Sequence, residues 1–93
     1  MAKVNLILLN IFYLLTHVKS IEYEGKTVKD IISQFLADYG DKLDHQIVSK
    51  NKKKLDSQIL ILLNGRNIKY LNGYKTKIED GWDIHLSVPL AGG

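Results

Sequence analysis

The 93-residue sequence predicts a small α+β domain, with one amphipathic helix set among short strands. Three observations carry that prediction. Val28, Ile31, Ile32, Phe35, Leu36 and Tyr39 recur at spacings of three and four, which is the period of one helical face. Asn64-Gly65, Asn72-Gly73 and Asp80-Gly81 punctuate the second half of the chain as short-range turn signals between apolar runs. In WDIHLSV, Trp82, Ile84, Leu86 and Val88 alternate with Asp83, His85 and Ser87, the period-two pattern of a strand with one buried face.

Taken in order, Val4 to Asn10 reads as a strand whose near-continuous leucine and isoleucine content suits burial on both faces, and a less defined apolar stretch continues to Leu15. Ser20 to Glu24 reads as a shorter partner strand, broken by Gly25. Thr27 is placed to cap the helix, Asp30 stands in its first turn where the helix dipole favours a negative charge, and Gly40 can close it. From Asp41 to Ser57 no period persists, so a mobile connection with isolated helical turns is expected. Gln58 to Leu63 is a buried strand, Asn67 to Tyr70 returns from it, and Tyr74 to Ile78 leads to the last strand. Pro89 ends that strand because it has no amide proton for a ladder.

Composition removes whole classes of chemistry. With no cysteine, disulfides, thiolate metal sites and a thiol nucleophile within the chain are excluded together. His17, His45 and His85 stand far apart without a ligand spacing, so no metal site is expected. Ser20, Ser33, Ser57 and Ser87 lack a nucleophile-elbow setting. The glycines occupy isolated turn or cap positions and form no phosphate-binding loop, so this chain is not expected to bind or activate ATP by itself. The paired carboxylates Glu79 and Asp80 read as solvation of a turn.

Net charge is +3, and the lysines of KNKKK at positions 50–54 account for that excess in one patch. Arg66 is the single arginine. A nucleic-acid surface more often spreads cations along a face and favours arginine for its bidentate hold on phosphate, so the patch reads as a solvated loop and nucleic acid as a minor alternative. The amino-terminal MAKVNLILLNIFYLLTHVKS has a basic start, an apolar run and a Val18-Lys19-Ser20 step like those of a secretion signal. Asn5 and Asn10 interrupt the run, and Val4 to Leu15 is too short for a membrane-spanning helix, so the segment is read as structure.

What remains is the ending, SVPLAGG. A free carboxylate resists substitution because its leaving group would be oxide. Conversion to an acyl-adenylate supplies a good leaving group and opens the carbonyl to sulfur or an amine. Glycine suits passage of such a tail through a narrow channel, since backbone without a Cβ can approach closely and adopt dihedrals closed to other residues.

The chain resembles the MoaD/ThiS branch of ubiquitin-like proteins over nearly its whole length. The residues that carry the resemblance are the opening VNLILLN, the helix TVKDIISQFLADYG, the run ILLNGRNIKYLNGYKTKIEDGWDIHLSV and the tail PLAGG. The resemblance implies a β-grasp fold: a mixed sheet of four to five strands, its first and last strands parallel at the centre, with one main helix packed across it. It further implies a single domain over residues 1–88 and a tail over 89–93. Gly93 would be the acyl group adenylated by an E1-like enzyme, Gly92 its flexible neighbour, and Pro89, Leu90 and Ala91 the rest of the inserted tail.

On this resemblance the chain is a substrate and subunit, not an enzyme by itself. It binds no cofactor, and ATP is used by the activating partner. The product is a thiocarboxylate that donates sulfur with the molybdopterin synthase large subunit. The alternative is a protein modifier of the small archaeal kind, joined through the same glycine to lysines of target proteins. Either role implies a cytoplasmic setting without membrane partners. The chain departs from the common MoaD pattern before the tail, where Leu86, Ser87, Val88 and a single proline replace an aromatic residue and two prolines. Trp82 also stands where an acidic residue is usual after the Asp80-Gly81 turn, and it is a candidate partner contact as well as a candidate for partial core packing.

Overall fold

In the computed structural model, residues 1–43, 48 and 54–89 are described. The opening apolar run divides into two elements. Strand β1 covers Ala2–Leu8, and helix α1 covers Ile11–Thr16. In β1, Val4, Leu6 and Leu8 are buried while Lys3 and Asn5 are exposed and Ile7 is half-buried, so the strand buries one face rather than the two its composition suggested. The chain leaves the strand at Asn10, which takes a left-handed backbone at φ 51°, and α1 then turns Phe12 and Thr16 inward four residues apart. His17 closes this single-turn element in the left-handed region, donating its N–H to the Tyr13 carbonyl at 2.7 Å.

Strand β2, Ser20–Gly25, pairs antiparallel with β1 from Ile7↔Ser20 to Ala2↔Gly25. Gly25 therefore belongs to the strand. A Cβ at that position would lie 2.6 Å from the Asp30 Cβ, closer than two carbons can approach, so glycine is what lets the strand end press against the start of the next helix.

That helix, α2, runs Val28–Tyr39, with Val28, Ile31, Ile32, Phe35 and Leu36 buried as their spacing predicts. Thr27 caps it through a reciprocal capping box with Asp30. The Asp30 carboxylate accepts the backbone N–H of Lys26 at 2.8 Å and of Thr27 at 3.1 Å. The Lys26 amide is the foremost reason that the Asp30 carboxyl lies below the ordinary carboxylate range; desolvation opposes it, and the Thr27 N–H and hydroxyl and the Lys26 charge act in the lowering sense.

A depressed carboxylate stabilises the fold fully above its unfolded pKa, about 3.9, and that contribution fades as pH falls through the lower folded value. Chemical unfolding of the native chain against Asp30→Asn is therefore expected to give a stability difference that is constant near neutral pH and shrinks below about pH 4. Thr27→Ala is expected to cost about 1 kcal/mol at neutral pH.

Gly40 does not end α2 with a left-handed turn. Its φ is −56°, and the chain runs on through a 3-10 turn over Gly40–Lys42. Of the connection expected from Asp41 to Ser57, Leu43, Val48 and Leu55 are buried, and Val48 bridges Leu55. His45 and the lysines at 50, 52 and 53 lie outside the described residues, and Lys54 sits 5.3 Å over the Tyr74 ring.

Strand β3 is Leu60–Leu63, shorter than expected because Asp56 organises a turn first: its side chain accepts from the Gln58 N–H at 2.9 Å and its carbonyl from the Ile59 N–H at 3.0 Å. Asn64 at φ 50° and Gly65 at φ 85° make the tight reversal foreseen from Asn-Gly. The returning strand β4 is only Arg66–Asn67, since the Asn67 side chain then accepts the Lys69 N–H at 2.9 Å and diverts the chain into a 3-10 turn over Ile68–Tyr70. A second 3-10 turn covers Gly73–Lys75, and strand β5 is Asp83–Ser87.

The five strands form one sheet in the order β2-β1-β5-β3-β4, with β5 parallel to β1 and antiparallel to β3. First and last strands thus lie side by side at the centre, as a β-grasp requires. Phe12, Phe35, Leu6, Ile31, Ile84 and Leu86 fill the space between this sheet and α2, each with essentially no exposure.

Candidate functional site

The end of β5 is fixed from both sides. Leu86 pairs with Leu8 of β1 and Ile61 of β3, and its carbonyl accepts the Leu9 N–H at 3.0 Å. Beyond it the Ser87 hydroxyl is hydrogen-bonded to the Asn10 side chain and also donates to the Val88 carbonyl at 3.2 Å. Val88 is half-buried against the core and Pro89 is exposed. The direction in which the chain leaves the domain is therefore set by a central strand and by two polar contacts to the β1–α1 junction. Of the residues assigned to the tail, Pro89 stands at this exit, while Leu90, Ala91, Gly92 and Gly93 lie outside the described residues.

Trp82 is at the opposite end of the same strand. It is half-buried and packs against the core, as the partial-packing reading expects, and it also lines an open cavity. The turn before it is anchored to β1: the Lys3 N–H donates to Asp80 at 2.7 Å and the Gly81 N–H to the Lys3 carbonyl at 2.9 Å.

The sheet face away from α2 carries a band that the sequence reading did not single out. His85 lies between Ile7 and Leu62 in register, with Ser87 beside Leu60 in the next row, and all five are half-buried. The signal was present in QILILL: a strand with apolar residues on both faces but helices enough for only one leaves a partly apolar outer face.

Among the described residues no group of three or more histidine, aspartate or glutamate side chains is placed to hold a metal. His17 and His85 are separated by their places in the fold, at the close of α1 and on the open sheet face. The perturbed tyrosines are structural. Burial raises the Tyr23 hydroxyl far above its ordinary value, and the hydrogen bond it donates to Asp38 at 2.7 Å adds to that shift. Burial likewise raises Tyr74, opposed by the Leu55 N–H that it accepts at 3.2 Å. Among the described residues no helix is long and apolar enough to cross a membrane.

No family model matches the chain. It is 30% identical over 73 residues, spanning 78% of this chain and 81% of the relative, to a candidate sulfur carrier protein of Archaeoglobus fulgidus. The solution structure of small archaeal modifier protein 1 from Methanosarcina acetivorans superposes on all of this chain and 98% of its own, with a TM-score of 0.84 and 28% identity. The structure of the BexX/CysO complex of Amycolatopsis orientalis contains a chain matching 97% of this one and 99% of its own, with a TM-score of 0.76 and 26% identity. Sequence and fold together place this chain in the MoaD/ThiS-like, ubiquitin-like β-grasp family of sulfur carriers and small modifiers.

Proposed function

We propose that this chain is a sulfur carrier whose Gly93 carboxylate is activated and loaded with sulfur, serving as the small subunit of molybdopterin synthase. The observation that carries the reading is the exit of the chain. The central strand β5 gives way, past half-buried Val88, to an exposed Pro89, from which the sequence continues as Leu90-Ala91-Gly92-Gly93. Residues 1–88 act as the scaffold and 89–93 as the reactive tail.

The chemistry assigns this chain one reacting group. A carboxylate oxygen of Gly93 attacks the α-phosphorus of ATP held by an E1-like partner, and pyrophosphate leaves. Hydrosulfide from the reduced sulfur donor then attacks the acyl carbon, the bond to the AMP oxygen breaks and AMP leaves, and loss of the S–H proton gives the thiocarboxylate. Among the described residues no group of acids and histidines is placed to hold a metal for these steps. The chain's part is to present an unhindered carbonyl on backbone slim enough to thread, with Pro89 restricting the dihedrals at the root. The partly apolar band of Ile7, Leu62 and His85 gives the partner a surface on the same scaffold. Dependence on ATP and on a reduced sulfur donor puts the work in the cytoplasm.

A second reading has its own support: the likeness to small archaeal modifier protein 1 extends over the whole chain. There the same acyl-adenylate is passed to lysine amines of target proteins. Intact-mass measurement on chain purified from its native host separates the two. A species with one oxygen replaced by sulfur is the expected result, whereas branched Gly-Gly remnants on other proteins with no sulfur-bearing species would replace the carrier by the modifier.

A further inference from the structure

From Arg66 to Lys77 the sequence RNIKYLNGYKTK carries Arg66, Lys69, Lys75 and Lys77 and no carboxylate. All four cations are exposed. The fold brings the two ends of this stretch together around Trp82. Leu63, Asn64, Arg66, Leu71, Lys77 and Trp82 line a cavity of about 340 Å³ beside the start of β5. A second open groove, of about 500 Å³, shares Arg66 and Leu71 with it and extends to Tyr70, whose side chain is 87% exposed. One continuous strip therefore runs from Tyr70 past Arg66 and Leu71 to Lys77 and Trp82.

Tyrosine, tryptophan and arginine are the residue types that most often anchor protein interfaces, because they combine apolar area with a polar handle. Among the described residues neither Arg66 nor Lys77 has an ion-pair partner. Of the acids that follow in sequence, Asp80 accepts the Lys3 N–H and Asp83 accepts the Asn5 side chain at 3.3 Å, while Glu79 is exposed. Leu63 and Leu71 give the cavity an apolar seat between its cations.

We propose that this strip is a docking groove for an acidic segment of a partner protein, with an apolar side chain in the cavity and flanking carboxylates on Arg66 and Lys77. A peptide fits it better than nucleic acid, since a phosphodiester backbone would leave the leucine-lined seat empty and would find a single arginine to grip. The groove opens at the start of β5 and the tail leaves from its end, about 13 Å away along the strand. A partner can thus hold the groove while the tail is inserted elsewhere. The inference does not depend on what is done to Gly93.

Trp82 is the single tryptophan, so binding at the groove has a built-in reporter. The probe is a short peptide with one leucine flanked on both sides by aspartates, titrated into the full chain and followed by Trp82 fluorescence and by amide NMR shifts of Asn64 and Leu71. Saturable binding that weakens with added salt is expected. Arg66→Ala and Lys77→Ala should each weaken it about two- to five-fold, and loss of Gly93 should leave it unchanged. Several results overturn the proposal: no saturable change in either signal, an equal response to the peptide with lysines in place of aspartates, no effect of the combined Arg66→Ala and Lys77→Ala variant, or tighter binding of a single-stranded oligonucleotide.

Discussion

Deletion of Gly93 is expected to abolish loading of the chain by its adenylating enzyme while leaving the fold unchanged. The shortened chain still ends in a glycine carboxylate, at Gly92, so the loss is one of reach and not of chemistry. One extended residue spans about 3.3–3.6 Å. A 1 Å misplacement of a reacting group can cost about a hundredfold in rate, so acyl-adenylate formation should fall by at least that factor. Pyrophosphate release with the purified activating enzyme measures it. Thermal unfolding supplies the control, because the deleted residue lies beyond the last described contact of β5 with the sheet and the melting curve should not move. A truncated chain that is activated at the native rate would show that the reach supplied by Gly93 is not required.

Phe35→Ala is expected to have the largest effect on stability. The ring is fully buried, 6.3 Å from the ring of Phe12 in α1 and stacked 5.7 Å from that of Tyr39. Truncating a buried phenylalanine costs about 3–5 kcal/mol from lost transfer energy and the cavity left behind. Domains of this size are stable by about 5–15 kcal/mol in total, so much of the folded state's margin disappears. With a urea slope of about 1–2 kcal/mol per molar, the unfolding midpoint should drop by roughly 2–3 M. Tyr70→Ala, at an almost fully exposed ring, should change stability by less than about 0.5 kcal/mol and serves as the comparison. A Phe35→Ala chain that unfolds within 1 kcal/mol of the native one would contradict the packing of α2 on α1 and the sheet.

The elements legible in the sequence are those whose signal is local. The three-four spacing from Val28 to Tyr39 and the Thr27–Asp30 box specify α2 residue by residue. Asn64-Gly65 specifies a reversal because both residues must take positive φ. The alternation in DIHLS specifies which side of β5 is buried. The same reasoning misjudged Ile11–Thr16, because a six-residue helix shows too few turns for a period to emerge from an apolar run. It also treated the basic charge as one patch at 50–54, since Arg66, Lys69, Lys75 and Lys77 are spaced too widely in sequence to stand out. Of the candidate site, Pro89 and Trp82 were foreseen as residues, but not that they mark opposite ends of one strand.

The sequence by itself determined the helix, the turns, the absence of thiol chemistry and the glycine ending, since each depends on residue type or on neighbours within a few positions. Only the tertiary structure decided that β5 lies between β1 and β3, that Arg66 and Lys77 meet Trp82 around one cavity at the strand's start, and that Ile7, His85 and Leu62 share a face. Those facts come from pairing between segments up to about 80 residues apart, and register across a sheet is set by the shared burial of whole faces and not by any one stretch of chain.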